Sequence, residues 1–189
     1  APYANPELAE SFHVNSFFIG ANVRHTLKAG NGSYTPVFLS ELPLLFRKKV
    51  VLLDVVFIHV SPPDSHGYCS LGVSVEASIA AIENAKIVIA QVNKNMPRTF
   101  GDGILHVSEI NYLVEVDVPI FSHEVNSFSV EEEKIGEYVA SLIENKSTLQ
   151  MGIGSIPNAA LSKLKNHKDL GLHTEMFSDG VIDLIENDV

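Results

Sequence analysis

Cysteine is almost absent: Cys69 is the only one in 189 residues. That excludes an internal disulfide and a cysteine-rich metal site. It suits a reducing compartment, and a cytoplasmic location is expected. Long apolar runs are missing as well. None approaches the roughly twenty residues that a membrane-spanning helix needs. The opening residues, Ala1-Pro2-Tyr3-Ala4-Asn5-Pro6, lack the charged and apolar segments of a signal peptide. Positive charge is scarce: 13 Lys and Arg stand against 23 Asp and Glu, for a net charge of −10. Such a balance argues against nucleic acid or an anionic membrane as the main partner. An anionic substrate stays open, because a local site can be positive on an acidic protein. His13, His25, His106, His123, His167 and His173 fall at no metal-ligand spacing, so no metal is expected.

What is present is an ordinary globular composition, 46% hydrophobic and 19% charged. Apolar runs alternate with helical patterns, which predicts an α/β fold with an open, mostly parallel sheet. Strands are expected at 16–19, 50–60, 87–92, 112–116, 148–151 and 172–177, those at 87–92 and 112–116 buried. Helices are expected at 23–28, 40–46, 75–84 and 158–164, with Gly30 stopping the first. The run 50–60 is apolar on both faces apart from Asp54 and His59, as in strands covered on both sides. Asp54 is read as a possible break between two strands. Residues 61–68 and 93–103 are loops rich in turn formers. Residues 122–129 read as a linker. Ser129 and Glu132 then form a capping-box pattern, with Ile135, Tyr138, Val139, Leu142 and Ile143 on one helical face. This divides the chain into a domain over 1–126 and the start of a second, similar one over 127–189. The chain begins without Met and stops at Glu186-Asn187-Asp188-Val189. Both ends are expected to be cuts in a longer protein that continues well past Val189.

Two segments carry candidate chemistry. Gln150-Met151-Gly152-Ile153-Gly154-Ser155-Ile156-Pro157 follows a strand and opens a helix. Glycines there let backbone N–H groups approach a ligand oxygen, and a helix start favours negative charge. Pro157 suits the first turn. The plain alternative is a tight turn with no ligand. A third glycine is missing, with Asn158 near its expected place, which weakens a dinucleotide reading. The second segment is Leu172-His173-Thr174-Glu175-Met176-Phe177-Ser178-Asp179-Gly180. A carboxylate between apolar neighbours at a strand end is expensive to bury unless it is paired or used. Its alternative is an edge Glu pointing to solvent. In a parallel sheet, Glu175 and the glycine loop share the carboxyl-end rim. Asp64, Ser65, His66 and Tyr68 lack the G-x-S-x-G elbow of a serine hydrolase, and the loop itself or a pocket wall is their expected role. His59 reads as a satisfied core histidine. Arg98 suits a carboxylate or phosphate, or simply a solvated loop. Glu131-Glu132-Glu133 reads as a solvated first helical turn favoured by the helix dipole.

Five segments in order resemble the acetyl-CoA hydrolase/transferase family, the family I CoA-transferases, and within it the 4-hydroxybutyrate CoA-transferase branch. They are Val60-Ser61-Pro62-Pro63-Asp64, Gly67-Tyr68-Cys69-Ser70-Leu71-Gly72, and Met96-Pro97-Arg98-Thr99 with Gly101-Asp102. Gly152-Ile153-Gly154-Ser155-Ile156-Pro157 and His173 to Gly180 complete the set. The resemblance covers essentially the whole chain. It implies Glu175 as a covalent nucleophile, Gln150 lining the active site, and Gly152, Ile153, Gly154, Ser155 and Ile156 contributing to coenzyme A binding. It implies two similar open α/β domains with the site between them. It also implies transfer of CoA between an acyl-CoA, such as acetyl-CoA or butyryl-CoA, and a short-chain carboxylate such as 4-hydroxybutyrate or acetate. The expected intermediate is a glutamyl-CoA thioester, and a homo-oligomer is expected. An acetyl-CoA hydrolase using the same Glu is the alternative. A non-enzymatic nucleotide-binding module using the glycine loop alone is a more distant one.

Overall fold

A computed structural model describes residues 5–8, 10–122 and 127–189. The chain is mixed α/β with mostly parallel strand pairing. It divides into two compact units, Ala1–Ile120 and Phe121–Val189. The linker expected at 122–129 lies partly outside the described residues, at 123–126.

The first unit begins with β1 (Val14–Ser16), α1 (Arg24–Ala29) and β2 (Gly32–Tyr34), and the two strands pair in parallel. Gly30 closes α1 in the left-handed conformation, at φ 82°, as expected of a C-terminal glycine. Next come α2 (Leu42–Arg47), β3 (Leu53–Val60), β4 (Tyr68–Ser70), α3 (Ser78–Asn84), β5 (Ala85–Asn93), β6 (Ile104–His106) and β7 (Tyr112–Val116). β3, β5 and β7 form a three-stranded parallel sheet in that order. One face carries Ile58, Val60, Val88, Ala90 and Val92, packed with Cys69, Leu71, Ile82, Leu105 and Ile110. Burial raises the pKa of the Cys69 thiol. Beside this core, Phe46 packs with Ala80 and Ala81 and meets Phe17 edge-on at 6.1 Å.

Three expectations about this sheet fail. Residues 50–60 are not covered on both sides, nor is the strand at 112–116 buried: Phe57 is 78% exposed, and Val55, Tyr112, Leu113 and Val114 are exposed too. The face that carries Phe57, Tyr112 and Val114 is largely open. Asp54 does not break the strand either. It sits inside β3, beside β5, and Lys86 of β5 pairs with it at 2.6 Å. A cross-strand cation makes an exposed carboxylate compatible with a strand. The first strand lies at 14–16 rather than 16–19, and β2, β4 and β6 were not foreseen. Three-residue strands carry too little periodicity to read.

The second unit holds α4 (Val130–Ser141), β8 (Thr148–Leu149), α5 (Ser155–Ser162), β9 (Gly171–Leu172) and α6 (Ile182–Glu186). Ser129 and Glu132 form the expected capping box at the start of α4. The buried face of α4 is not the expected one. Leu142 is 82% and Tyr138 62% exposed, while Gly136 and Ala140 are buried. A Cβ on Gly136 would stand 2.7 Å from the Ala159 carbonyl carbon and 2.8 Å from its oxygen. Small residues let α4 and α5 approach backbone to backbone, and that contact outweighs the larger apolar stripe. Ala140, Leu161, Leu164, Val181 and Leu184 form the core, with Ile143 against it.

β8 and β9 pair in parallel across α5, with Thr148 opposite Gly171 and Leu149 opposite Leu172. Both strands are shorter than expected. The His173 N–H still donates to the Leu149 carbonyl at 2.9 Å. At the next rung the Thr174 hydroxyl, not the backbone, accepts the Met151 N–H, at 3.3 Å. A side chain takes over the ladder there and the strands end.

Candidate functional site

The glycine loop and the Glu175 segment meet within the second unit. Gln150 is exposed and directly follows β8. Gly152, Ile153 and Gly154 form an open turn into α5, with Ile153 63% exposed. Gly154 is the N-cap of α5 at φ 121° and ψ −178°, a conformation almost confined to glycine. No atom lies within 4 Å of a Cβ built there. Conformation, rather than crowding, demands glycine at this position. Ser155 and Ile156 form the first turn of α5, both exposed.

Glu175 lies in a bend three residues after β9, not on a strand end as expected. The Thr174 oxygen sits 2.9 Å from the Met151 carbonyl oxygen and 3.0 Å from that of Met176. This places the Glu175 bend against the residue between Gln150 and Gly152. The Glu175 side chain is exposed and makes no hydrogen bond or ion pair among the described residues. The carboxylate is therefore uncommitted, and the loop next to it offers open backbone. Such a pairing suits nucleophilic attack by the carboxylate with backbone N–H groups near the developing oxyanion.

The Ser155 hydroxyl is already engaged, donating to the Glu132 carboxylate at the start of α4. That bond, with a second from the Ser129 N–H, holds the Glu132 pKa below the usual carboxylate value. Glu132 is therefore not merely a solvated acid of the first helical turn, because it ties α4 to the glycine loop. Asn158 and Ser178 join the two segments, although the sequence marks Asn158 only as standing near the place of a missing third glycine and Ser178 not at all. The Ser178 hydroxyl donates to the Asn158 side-chain oxygen. Ser178 lies within the second candidate segment and Asn158 directly follows the first.

The remaining segments of the family pattern knit the loops of the first unit. The Asp64 carboxylate accepts the His66 and Tyr68 N–H groups, both at 2.9 Å, and the Arg98 guanidinium at 2.8 Å. Arg98 also donates to the Tyr68 carbonyl at 2.9 Å. The Tyr68 N–H bond leads the causes that lower the Asp64 pKa, and Arg98 adds to it. Arg98 is thus a strut between two loops rather than a solvated cation. The buried Ser70 hydroxyl accepts the Gly72 and Thr99 N–H groups at 3.1 and 3.0 Å. His59 is not the satisfied core histidine expected. Its Nε2 is buried with no partner among the described residues, and burial lowers its pKa. It lines a cavity of about 410 Å³ with Phe57, Ile58, Ser74, Ser78, Ile89, Gln91 and Val114. A second cavity, of about 390 Å³, lies by Pro43, Arg47, Val75 and Asp102. Neither is lined by Gln150, the glycine loop or Glu175. No helix among the described residues is long and apolar enough to cross a membrane.

Residues 1–122 match the profile of the acetyl-CoA hydrolase/transferase N-terminal domain. The chain belongs to the acetyl-CoA hydrolase/transferase family. It is 48% identical over 186 residues to a succinyl-CoA:acetate/propanoyl-CoA:succinate CoA transferase of Fasciola hepatica, covering 98% of this chain and 39% of that protein. It is also 48% identical over 184 residues to 4-hydroxybutyrate coenzyme A transferase of Clostridium kluyveri, covering 97% of this chain and 43% of that one. The solved 4-hydroxybutyrate CoA-transferase of Porphyromonas gingivalis is 40% identical and superimposes with a TM-score of 0.79. The match covers 97% of this chain and 48% of that one. The chain therefore spans about two fifths of the length of these curated relatives.

Proposed function

We propose that the protein containing this chain is an acyl-CoA:carboxylate CoA-transferase in which Glu175 is the nucleophile. The observation that carries this is an exposed, unpaired carboxylate fastened beside an open glycine loop. Coenzyme A enters as part of the substrate. A Glu175 oxygen attacks the thioester carbonyl, the C–S bond breaks, and a mixed anhydride and CoA thiolate result. The thiolate then attacks the Glu175 carbonyl carbon, releasing the first carboxylate and leaving a glutamyl-CoA thioester. The acceptor carboxylate repeats both steps in reverse, which restores the Glu175 carboxylate. No net proton is required. Covalent catalysis divides one hard exchange into easier ones and gives ping-pong kinetics. Backbone N–H groups of Gly152–Ser155 and the Gln150 amide are the proposed donors to the oxyanions.

The two relatives at 48% identity carry different carboxylates in their names, succinate with acetate or propanoate in one and 4-hydroxybutyrate in the other. The acceptor class proposed is therefore a short-chain carboxylate, without choosing one. The test mixes full-length protein with acyl-CoA, without acceptor, and reduces with borohydride. A glutamyl thioester becomes an alcohol, and the Glu175 peptide loses mass accordingly. Glu175→Ala should show neither the mass change nor CoA exchange. An unchanged wild-type peptide, or exchange by the Ala variant at a comparable rate, places the nucleophile elsewhere. Continuous CoA release without acceptor would identify the hydrolase instead.

A further inference from the structure

We propose that Thr174 and the Ser178–Asn158 pair are positioning residues that set where the Glu175 carboxylate stands over the glycine loop; this rests on the reading of Glu175 as nucleophile. The sheet does not position Glu175, because β9 ends at Leu172. Two side-chain tethers take its place. The first is Thr174. Its hydroxyl accepts the Met151 N–H at 3.3 Å and lies 2.9 Å from the Met151 oxygen and 3.0 Å from the Met176 oxygen. One hydroxyl has one proton, so the two carbonyls share it. Either way, a single oxygen holds the residue before the glycine loop and the residue after Glu175. Glu175 is the middle of a three-residue bend closed at its base.

The second tether begins at buried Ser178, 8% exposed. Its hydroxyl reaches the Asn158 side-chain oxygen on α5. The Asn158 N–H in turn donates to the Gly154 carbonyl at 3.2 Å. Gly180 packs beside this contact, where a Cβ would stand 3.4 Å from the Asn158 oxygen and 3.1 Å from Leu161 Cδ1. One tether thus ends at Met151, just before the loop, and the other at Gly154 within it. Glu175, Met176 and Phe177 between them are exposed. The carboxylate is free in rotamer but fixed in origin. A nucleophile needs its origin fixed, because displacement by about 1 Å can slow a reaction on the order of a hundredfold.

The experiment uses full-length protein and four variants. Thr174→Val keeps the branched shape and removes the hydroxyl, and Thr174→Ser restores it. Ser178→Ala cuts the second tether on its own, and Glu175→Ala is the control. For each, single-turnover formation of the borohydride-trapped thioester, KM for acyl-CoA and the thermal midpoint are measured. Thr174→Val and Ser178→Ala should slow trapping by about ten- to a hundredfold. Their KM should stay within about threefold of wild type, and Thr174→Ser should recover most of the rate. Wild-type trapping rates in both tether variants overturn the proposal. So does a Thr174→Ser variant as slow as Thr174→Val, or a rate loss that simply follows the loss of folded protein. If Glu175→Ala is dead while both tether variants are fully active, only the positioning proposal falls. If Glu175→Ala still exchanges CoA, the nucleophile reading falls and takes the tethers' role with it.

Discussion

At the scale of single residues, charge is either committed or kept free. Asp64 and Glu132 are committed: each accepts several donors, and each has its pKa lowered by them. Glu175 has no such partner among the described residues. A committed carboxylate is a poor nucleophile, because its lone pairs are already occupied. This contrast makes reach the decisive variable at Glu175. Glu175→Asp keeps the charge and withdraws it by one methylene, about 1.5 Å. Under the proposed mechanism the full-length Asp variant should lose on the order of a hundredfold in exchange rate. Steady-state kinetics check this, and a loss of less than about threefold would mean that reach is not limiting. The two candidate segments stand out in the sequence because a carboxylate between apolar neighbours and a glycine pair before a helix are unusual, while the proposed roles of their residues rest on the family resemblance. Thr174, Asn158 and Ser178 were not legible. A hydroxyl or amide in a loop gives no signal of its partner until distant residues meet.

Secondary-structure elements show the same division between local and distant causes. The end of α1 at Gly30 and the capping box of α4 were readable from the sequence, since each depends on neighbours in the chain. The buried face of α4 was not, because Gly136 matters only through Ala159 on another helix. The short β4 and β6 likewise exist only by pairing with each other, antiparallel. The start of α4 carries a testable pH dependence. Glu132 accepts from the Ser155 hydroxyl first and the Ser129 N–H second, and its folded pKa is lowered. A lowered folded value means that the stabilisation is fully present above the unfolded pKa, about 4.3. It is lost as pH falls through the folded value, since the unfolded chain then binds the proton more readily. Acidification should therefore loosen the link between α4 and the glycine loop. Ser155→Ala should move the Glu132 titration upward, toward the ordinary value. Carboxyl NMR titration of both forms checks this, and an unmoved Glu132 would show that the Ser155 bond does not form in solution.

At the scale of the whole chain, two opposing surface properties compete. The net charge of −10 repels one copy from another. The open face of the three-stranded sheet attracts, with Phe57 78%, Tyr112 60% and Val114 50% exposed. Scattered apolar residues on a surface are ordinary, but a contiguous patch on a sheet face marks a surface that associates. Burying one large apolar side chain is worth about 1.5–3 kcal/mol, so a few together outweigh weak repulsion once salt screens it. The screening length falls from about 30 Å at 0.01 M to about 10 Å at 0.1 M ionic strength. The 189-residue chain on its own should therefore bind a hydrophobic dye and stay dispersed at low salt. Self-association should grow as salt is raised. Phe57→Lys places a charge on the most exposed of these side chains and should suppress both dye binding and salt-induced association. Sedimentation across a salt series, with dye fluorescence alongside, checks the pair. Association that weakens with salt, or is indifferent to Phe57→Lys, would locate the sticky surface elsewhere and make charge, not this sheet face, the force that joins the copies.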